Sequence, residues 1–125
     1  MTVVTGIGQL HISVSDLDVS RRFYRDVLGL PHLFDAPGMA FFDAGGVRLY
    51  LAQPEEPGFR GVATIYYRVP DLDDAVAALE ARGVVFTVKP HLVHRDGTSQ
   101  LWMAFTTDPD GNNVGLMTEV PDASS

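Results

Sequence analysis

A chain of 125 residues, 46% hydrophobic and 20% charged, is long enough to bury one core, and nine basic against 16 acidic residues (net −7) argue against a phosphate-backbone partner, which needs clustered Lys and Arg. The lack of cysteine excludes disulfides, thiolate metal sites and a cysteine nucleophile. No apolar run nears the roughly 20 residues of a membrane helix. Met1–Leu10 shows no basic region followed by an apolar stretch, so a cytoplasmic protein with neither nucleic-acid nor membrane partner is expected.

The first predicted strand is the alternation of Leu10, Ile12 and Val14 with Gln9, His11 and Ser13. Asp16 is a candidate cap for the helix that follows. Ser20, Phe23, Tyr24, Val27 and Leu28 make one helical stripe, and Gly29 suits the left-handed position at its end. Leu33–Phe34, Met39–Phe42 and Val47–Leu51 read as short strands separated by Pro37-Gly38 and Gly45-Gly46 turns. Pro54–Gly61, rich in Pro, Gly and Glu, reads as a linker.

The same order then recurs. Val14-Ser15-Asp16-Leu17 returns as Val69-Pro70-Asp71-Leu72, 55 positions on. Val62–Val69 reads as a strand, Leu72–Arg82 as a helix stopped by Gly83, and Val84–Val88, Gln100–Thr106 and Val114–Thr118 as strands. The turns before the last strands, Asp43-Ala44-Gly45-Gly46 and Asp108-Pro109-Asp110-Gly111, lie 65 apart rather than 55, so the second copy carries ten extra residues. They are assigned to a loop, Lys89–Ser99. The predicted class is α+β: two βαβββ modules, about 7–53 and 62–119, in a single domain 1–120. They would form a curved mixed sheet with a central cleft, followed by a frayed tail 121–125.

Phe23-Tyr24-Arg25-Asp26-Val27-Leu28-Gly29-Leu30 after the first Val-x-Asp-Leu, and Asp108-Pro109-Asp110-Gly111-Asn112 before the last strand, resemble the vicinal oxygen chelate superfamily over roughly residues 7–119. That superfamily includes glyoxalase I, extradiol dioxygenases and the bleomycin-resistance proteins. The resemblance implies four strand positions that hold a divalent ion in metal-using members. Here they fall on Gln9, Tyr50, Thr64 and Gly115. A divalent ion takes carboxylates and imidazoles. Glycine offers no side chain, and a threonine hydroxyl and a neutral phenol are weak donors. The reading is therefore a scaffold that has lost its metal, with no cofactor. The resemblance also implies a homodimer.

Strand alternation turns Leu10, Ile12, Val14, Leu49, Leu51, Ile65, Tyr67, Val69, Val114 and Leu116 toward the helices. The opposite face then presents Gln9, His11, Ser13, Tyr50, Thr64, Tyr66 and Arg68, with Met39 and Phe41 from a neighbouring strand, as candidate ligand-binding residues. Trp102 beside the extra loop is a further candidate, although the alternation of Trp102, Ala104 and Thr106 with Met103 and Phe105 leaves open which set lines the site. His11 reads as a hydrogen-bonded polar-cavity residue, a ligand contact or a general base. Arg48 and Arg68 read as solvent-facing or as anion partners. His91 and His94, three apart in an extended chain, point to opposite faces and read as solvated. Asp108 and Asp110 read as turn residues.

The expected function is binding of a small organic ligand, planar or aromatic, without a metal. The alternative is a metal-dependent lyase, isomerase or dioxygenase of glyoxalase type with an unusual ligand set that includes Gln9 or His11.

Overall fold

The computed structural model describes residues 3, 6–53 and 64–122. The chain divides into two compact units, Met1–Val62 and Ala63–Ser125. The expected linker Pro54–Gly61 and residues 123–125 of the expected tail lie outside the described residues.

The first unit runs β1 (Gln9–Ser13), α1 (Leu17–Arg22), β2 (His32–Ala36), β3 (Met39–Ala44) and β4 (Val47–Ala52). The second repeats it as β5 (Thr64–Arg68), α2 (Leu72–Ala81), β6 (Val88–Arg95), β7 (Ser99–Thr107) and β8 (Asn113–Pro121). Each unit holds a four-stranded mixed sheet of the same topology, β1-β4-β3-β2 and β5-β8-β7-β6. The first strand lies parallel to the last and the other pairs are antiparallel. A parallel first pair needs a crossover, which the helix provides.

The first helix starts on its expected cap, and the second on the equivalent residue of the repeat. The Asp16 carboxylate accepts from Val19 N–H at 3.1 Å and that of Asp71 from Asp74 N–H at 2.9 Å. α2 ends in a Schellman motif: Gly83 sits at φ 91°, its N–H bonds the Glu80 carbonyl, and Val84 N–H bonds that of Leu79. The first helix departs from the even stripe expected of it. After Arg22 it widens into a π-helical turn, Phe23–Val27, with Leu28 N–H on the Phe23 carbonyl at 2.9 Å. The extra residue in that turn rotates the stripe, so Ser20 and Tyr24 are fully buried while Phe23, Val27 and Leu28 are only half-buried.

α1 packs on β3 and β4, and α2 on β6, β7 and β8. The buried positions follow the predicted alternation: Ile12, Val14, Leu49 and Leu51 with Ala40 and Phe42 in the first unit, Val114 and Leu116 with Ala104 in the second.

Three sequence expectations are corrected in the second unit. Val84–Thr87 is not strand. It runs off the Schellman motif with Phe86 buried, Val85 exposed and the Val85 carbonyl accepting from Thr106 Oγ1, and the ladder starts only at Val88. The segment assigned to an extra loop is instead β6 itself. β6 has eight residues against five in β2, and β7 has nine against six in β3, so most of the added length extends a hairpin. The tail also starts later than expected. Pro121 closes β8, and Asp122 is buried with its carboxylate 3.0 Å from Arg95 Nε.

Candidate functional site

Register builds the site in the first unit. His11 on β1 pairs with Tyr50 on β4, Tyr50 with Phe41 on β3, and Phe41 with Phe34 on β2. All four side chains stand on the sheet face away from α1. Their rings stack in one row across four strands. Centroids are 4.6, 5.2 and 4.4 Å apart, and successive planes lie within 9°, 22° and 17° of parallel. Such contacts lie within the attractive range for offset aromatic pairs. Phe34 enters the row because β2 carries an irregularity between His32 and Phe34, which returns Phe34 to the Phe41 face and leaves His32 against Phe42 on the other.

His11 approaches the Ala52 carbonyl through Nε2 at 3.4 Å. A carbonyl only accepts, so this contact favours the proton on Nε2 and leaves Nδ1 as an acceptor. No carboxylate hydrogen-bonds the imidazole among the described residues, so His11 lacks the orienting partner typical of a general base. Gln9 lies opposite Arg48, and Ser13 and Met39 both lie opposite Ala52. Gln9, His11, Ser13, Met39, Phe41 and Tyr50 are thus brought onto one face of the first sheet.

The second unit repeats the row with one ring missing. Tyr66 pairs with Gly115 and Gly115 with Phe105. Without a side chain at the central position, Tyr66 and Phe105 meet edge to face over the glycine, centroids 5.8 Å apart and planes at 80°. A Cβ on Gly115 would stand 2.8 Å from Tyr66 Cδ1 and 3.2 Å from Phe105 Cε1, so the rings occupy the space a larger residue would need. His91 lies beyond Phe105 at 6.5 Å. Thr64 and Arg68 share the Tyr66 face, and Thr64 Oγ1 accepts from Asn113 Nδ2 at 3.2 Å.

Trp102 lies on the reverse face of this sheet, alternating with Met103 and in step with Ala104 and Thr106. Its Nε1–H donates to Gln100 Oε1 at 3.0 Å. The residue that joins the row is Phe105. The signal that finds it is turn length. The Asp43 turn closes between Ala44 and Val47, whereas the Asp108 turn closes between Thr107 and Asn113. The longer turn shifts the inward set of β7 by one position relative to a simple count from the last strand.

His91 and His94 are corrected too. A shift in register between Leu92 and His94 sets them opposite Met103 and Leu101, so both sit in step with one face. Among the described residues no group of three His, Cys, Asp or Glu side chains is placed to hold a metal ion. Asp108 is spent on its turn: it is buried and accepts from the amides of Asp110 and Asn112 at 2.9 and 2.8 Å and from Asn112 Nδ2 at 2.9 Å.

The donor set implied for a divalent ion does not fit one. Tyr50 is held between two rings, Thr64 Oγ1 is engaged by Asn113, Gly115 has no donor and rings where one would stand, and Gln9 is a neutral amide. No step through a metal follows from these residues. No helix of the described residues is long and apolar enough to cross a membrane.

Comparison with known proteins agrees with this architecture. A protein of the mobile metagenome of V. Pseudocholerae is 25% identical, with TM-score 0.79 over 94% of this chain and 97% of its own. A glyoxalase/bleomycin resistance protein/dioxygenase superfamily member from Sphaerobacter thermophilus is 26% identical, with TM-score 0.78 over 94% and 99%. A lactoylglutathione lyase from Agrobacterium tumefaciens, 24% identical with TM-score 0.76 over 94% and 96%, shares the fold. The sequence profile of the Glyoxalase/Bleomycin resistance protein/Dioxygenase superfamily matches residues 6–116, and the chain belongs to that superfamily.

Proposed function

We propose that this chain is a small-molecule-binding member of the superfamily that binds an organic ligand through aromatic surface in place of a metal ion. The observation that carries the reading is the His11–Tyr50–Phe41–Phe34 row, with the Tyr50 phenol at the position where the resemblance implies a metal carboxylate. Replacing a carboxylate by a phenol trades a charge for flat apolar area with a hydrogen-bonding tip, which suits a planar or aromatic ligand. The Gly115 position supports the same reading, because its neighbours are rings rather than donors.

The test is direct. Protein purified without chelator is assayed for bound zinc, nickel, iron and manganese, and a library of planar aromatic compounds is screened by calorimetry. The expected result is no stoichiometric metal and at least one planar ligand whose affinity drops severalfold in Tyr50→Ala. A stoichiometric metal lost together with turnover of a hemithioacetal or diol in Gln9→Ala or His11→Ala would replace this reading by the metal-dependent lyase, isomerase or dioxygenase.

A further inference from the structure

The cation beside the ring row narrows the ligand class, granted the binding reading above. Arg48 on β4 stands on the same face as the row, its guanidinium carbon 5.9 Å from the Phe41 centroid and 6.0 Å from that of Phe34. It is exposed, and no carboxylate lies within ion-pair distance of it among the described residues. Arg21, Arg25, Lys89 and Arg95 each hold a carboxylate, whereas Arg48, like Arg22 and Arg68, is in none of the ion pairs among the described residues. Asp43 faces Arg48 in register, yet its Oδ1 is taken by the Gly46 amide at 2.7 Å. On the other side Arg48 faces the neutral Gln9. In a protein of net charge −7, an exposed arginine beside two phenylalanines, with no described carboxylate within ion-pair distance, can take an anion.

The rings add a second preference. Because they stack on one another across the strands, the inner rings Tyr50 and Phe41 have both faces covered, and contact with them runs through their edges. An aromatic edge is electropositive, so it favours the π face of an electron-rich ring laid against it. Arg48 and the ring edges therefore select in the same direction.

We propose that the ligand is a planar aromatic carboxylate, its ring on the edges of the row and its carboxylate on the Arg48 guanidinium. The probes are 2-naphthoate and its neutral isostere 2-naphthamide, titrated by calorimetry into wild type and Arg48→Gln. One charge-assisted contact predicts that wild type binds naphthoate about tenfold more tightly than the amide. It also predicts that added salt weakens naphthoate binding selectively, and that Arg48→Gln removes the preference, naphthoate losing about tenfold and the amide less than that. Equal affinities in wild type, or a preference that survives in Arg48→Gln, would overturn the carboxylate assignment and leave the aromatic-binding reading standing. Failure of both probes to bind wild type would overturn both.

Discussion

The Tyr50 ring lies parallel to the imidazole of His11, centroids 4.6 Å apart and planes 9° from parallel, although the two residues belong to different strands 39 positions apart. The pair exists because β1 and β4 are parallel neighbours in a register that sets His11 against Tyr50. On its other side Tyr50 meets Phe41 at 5.2 Å, so it is one of the two inner rings of the row.

Tyr50 therefore carries stability as well as ligand contact. Tyr50→Ala should cost about 1–3 kcal/mol from lost burial and two lost ring contacts. Tyr66→Ala, whose side chain is 49% exposed, should cost about 1 kcal/mol or less. Urea denaturation of the two variants checks the order, and a larger loss for Tyr66→Ala would contradict the row.

Gly115→Ala should displace the Tyr66 ring, since the new Cβ would fall 2.8 Å from Tyr66 Cδ1. The expected cost is about 1–2 kcal/mol. In the Tyr66→Ala background the same substitution should be nearly neutral. A double-mutant cycle with no coupling would show that the ring does not lie over the glycine.

The core predictions separate two phenylalanines. Phe42 is fully buried between the sheet and α1, and Phe42→Ala should cost about 3–5 kcal/mol. Phe23, rotated to a half-buried position by the π-helical turn, should cost roughly half as much on truncation. Equal denaturation midpoints for the two variants would mean that the helix continues without the extra residue.

The hairpin turn after β6 should be acid-sensitive. The Ser99 and Thr98 amides and the Thr98 hydroxyl bond the Asp96 carboxylate and hold its pKa down from its ordinary 3.8 to about 2. A depressed carboxylate stabilises the fold above 3.8, and that contribution is lost as pH falls from 3.8 through about 2. Carbon-detected NMR titration should place the Asp96 midpoint near 2, and Asp96→Asn should flatten the acid limb of stability.

Tyr67 gives the opposite limb. Its hydroxyl is buried without a hydrogen-bond partner among the described residues, and burial, with the nearby Asp108 charge, raises its pKa above its ordinary 10.0. The unfolded chain would ionise first, so stability is full below 10.0 and falls as pH rises beyond it. Tyr67→Phe should be neutral or stabilising by about 1 kcal/mol and should lessen that alkaline loss. A destabilisation of several kcal/mol would show that the hydroxyl is satisfied.

Much of this protein is legible in its sequence because the signals are local. Asp16 and Asp71 mark helix starts through a three-residue bond to an amide, Gly83 marks a helix end because it must take positive φ, and period-two alternation sorts Leu10, Ile12, Val114 and Leu116 from His11 and Gly115. The duplication follows from the helix start recurring 55 positions on, and the superfamily from the resemblance carried by Phe23–Leu30 and Asp108–Asn112. What depends on pairing is not local. Phe34 joins the ring row only through an irregularity in β2, Phe105 replaces Trp102 only because the Asp108 turn is longer than the Asp43 turn, and His91 and His94 share a side only through a bulge. A strand carries no mark of its partner's register, and a shift of one residue moves every side chain to the other face. The chemistry of the candidate site, rings where donors would be needed, was therefore written in Tyr50 and Gly115. Which rings stack there was decided by the ladders.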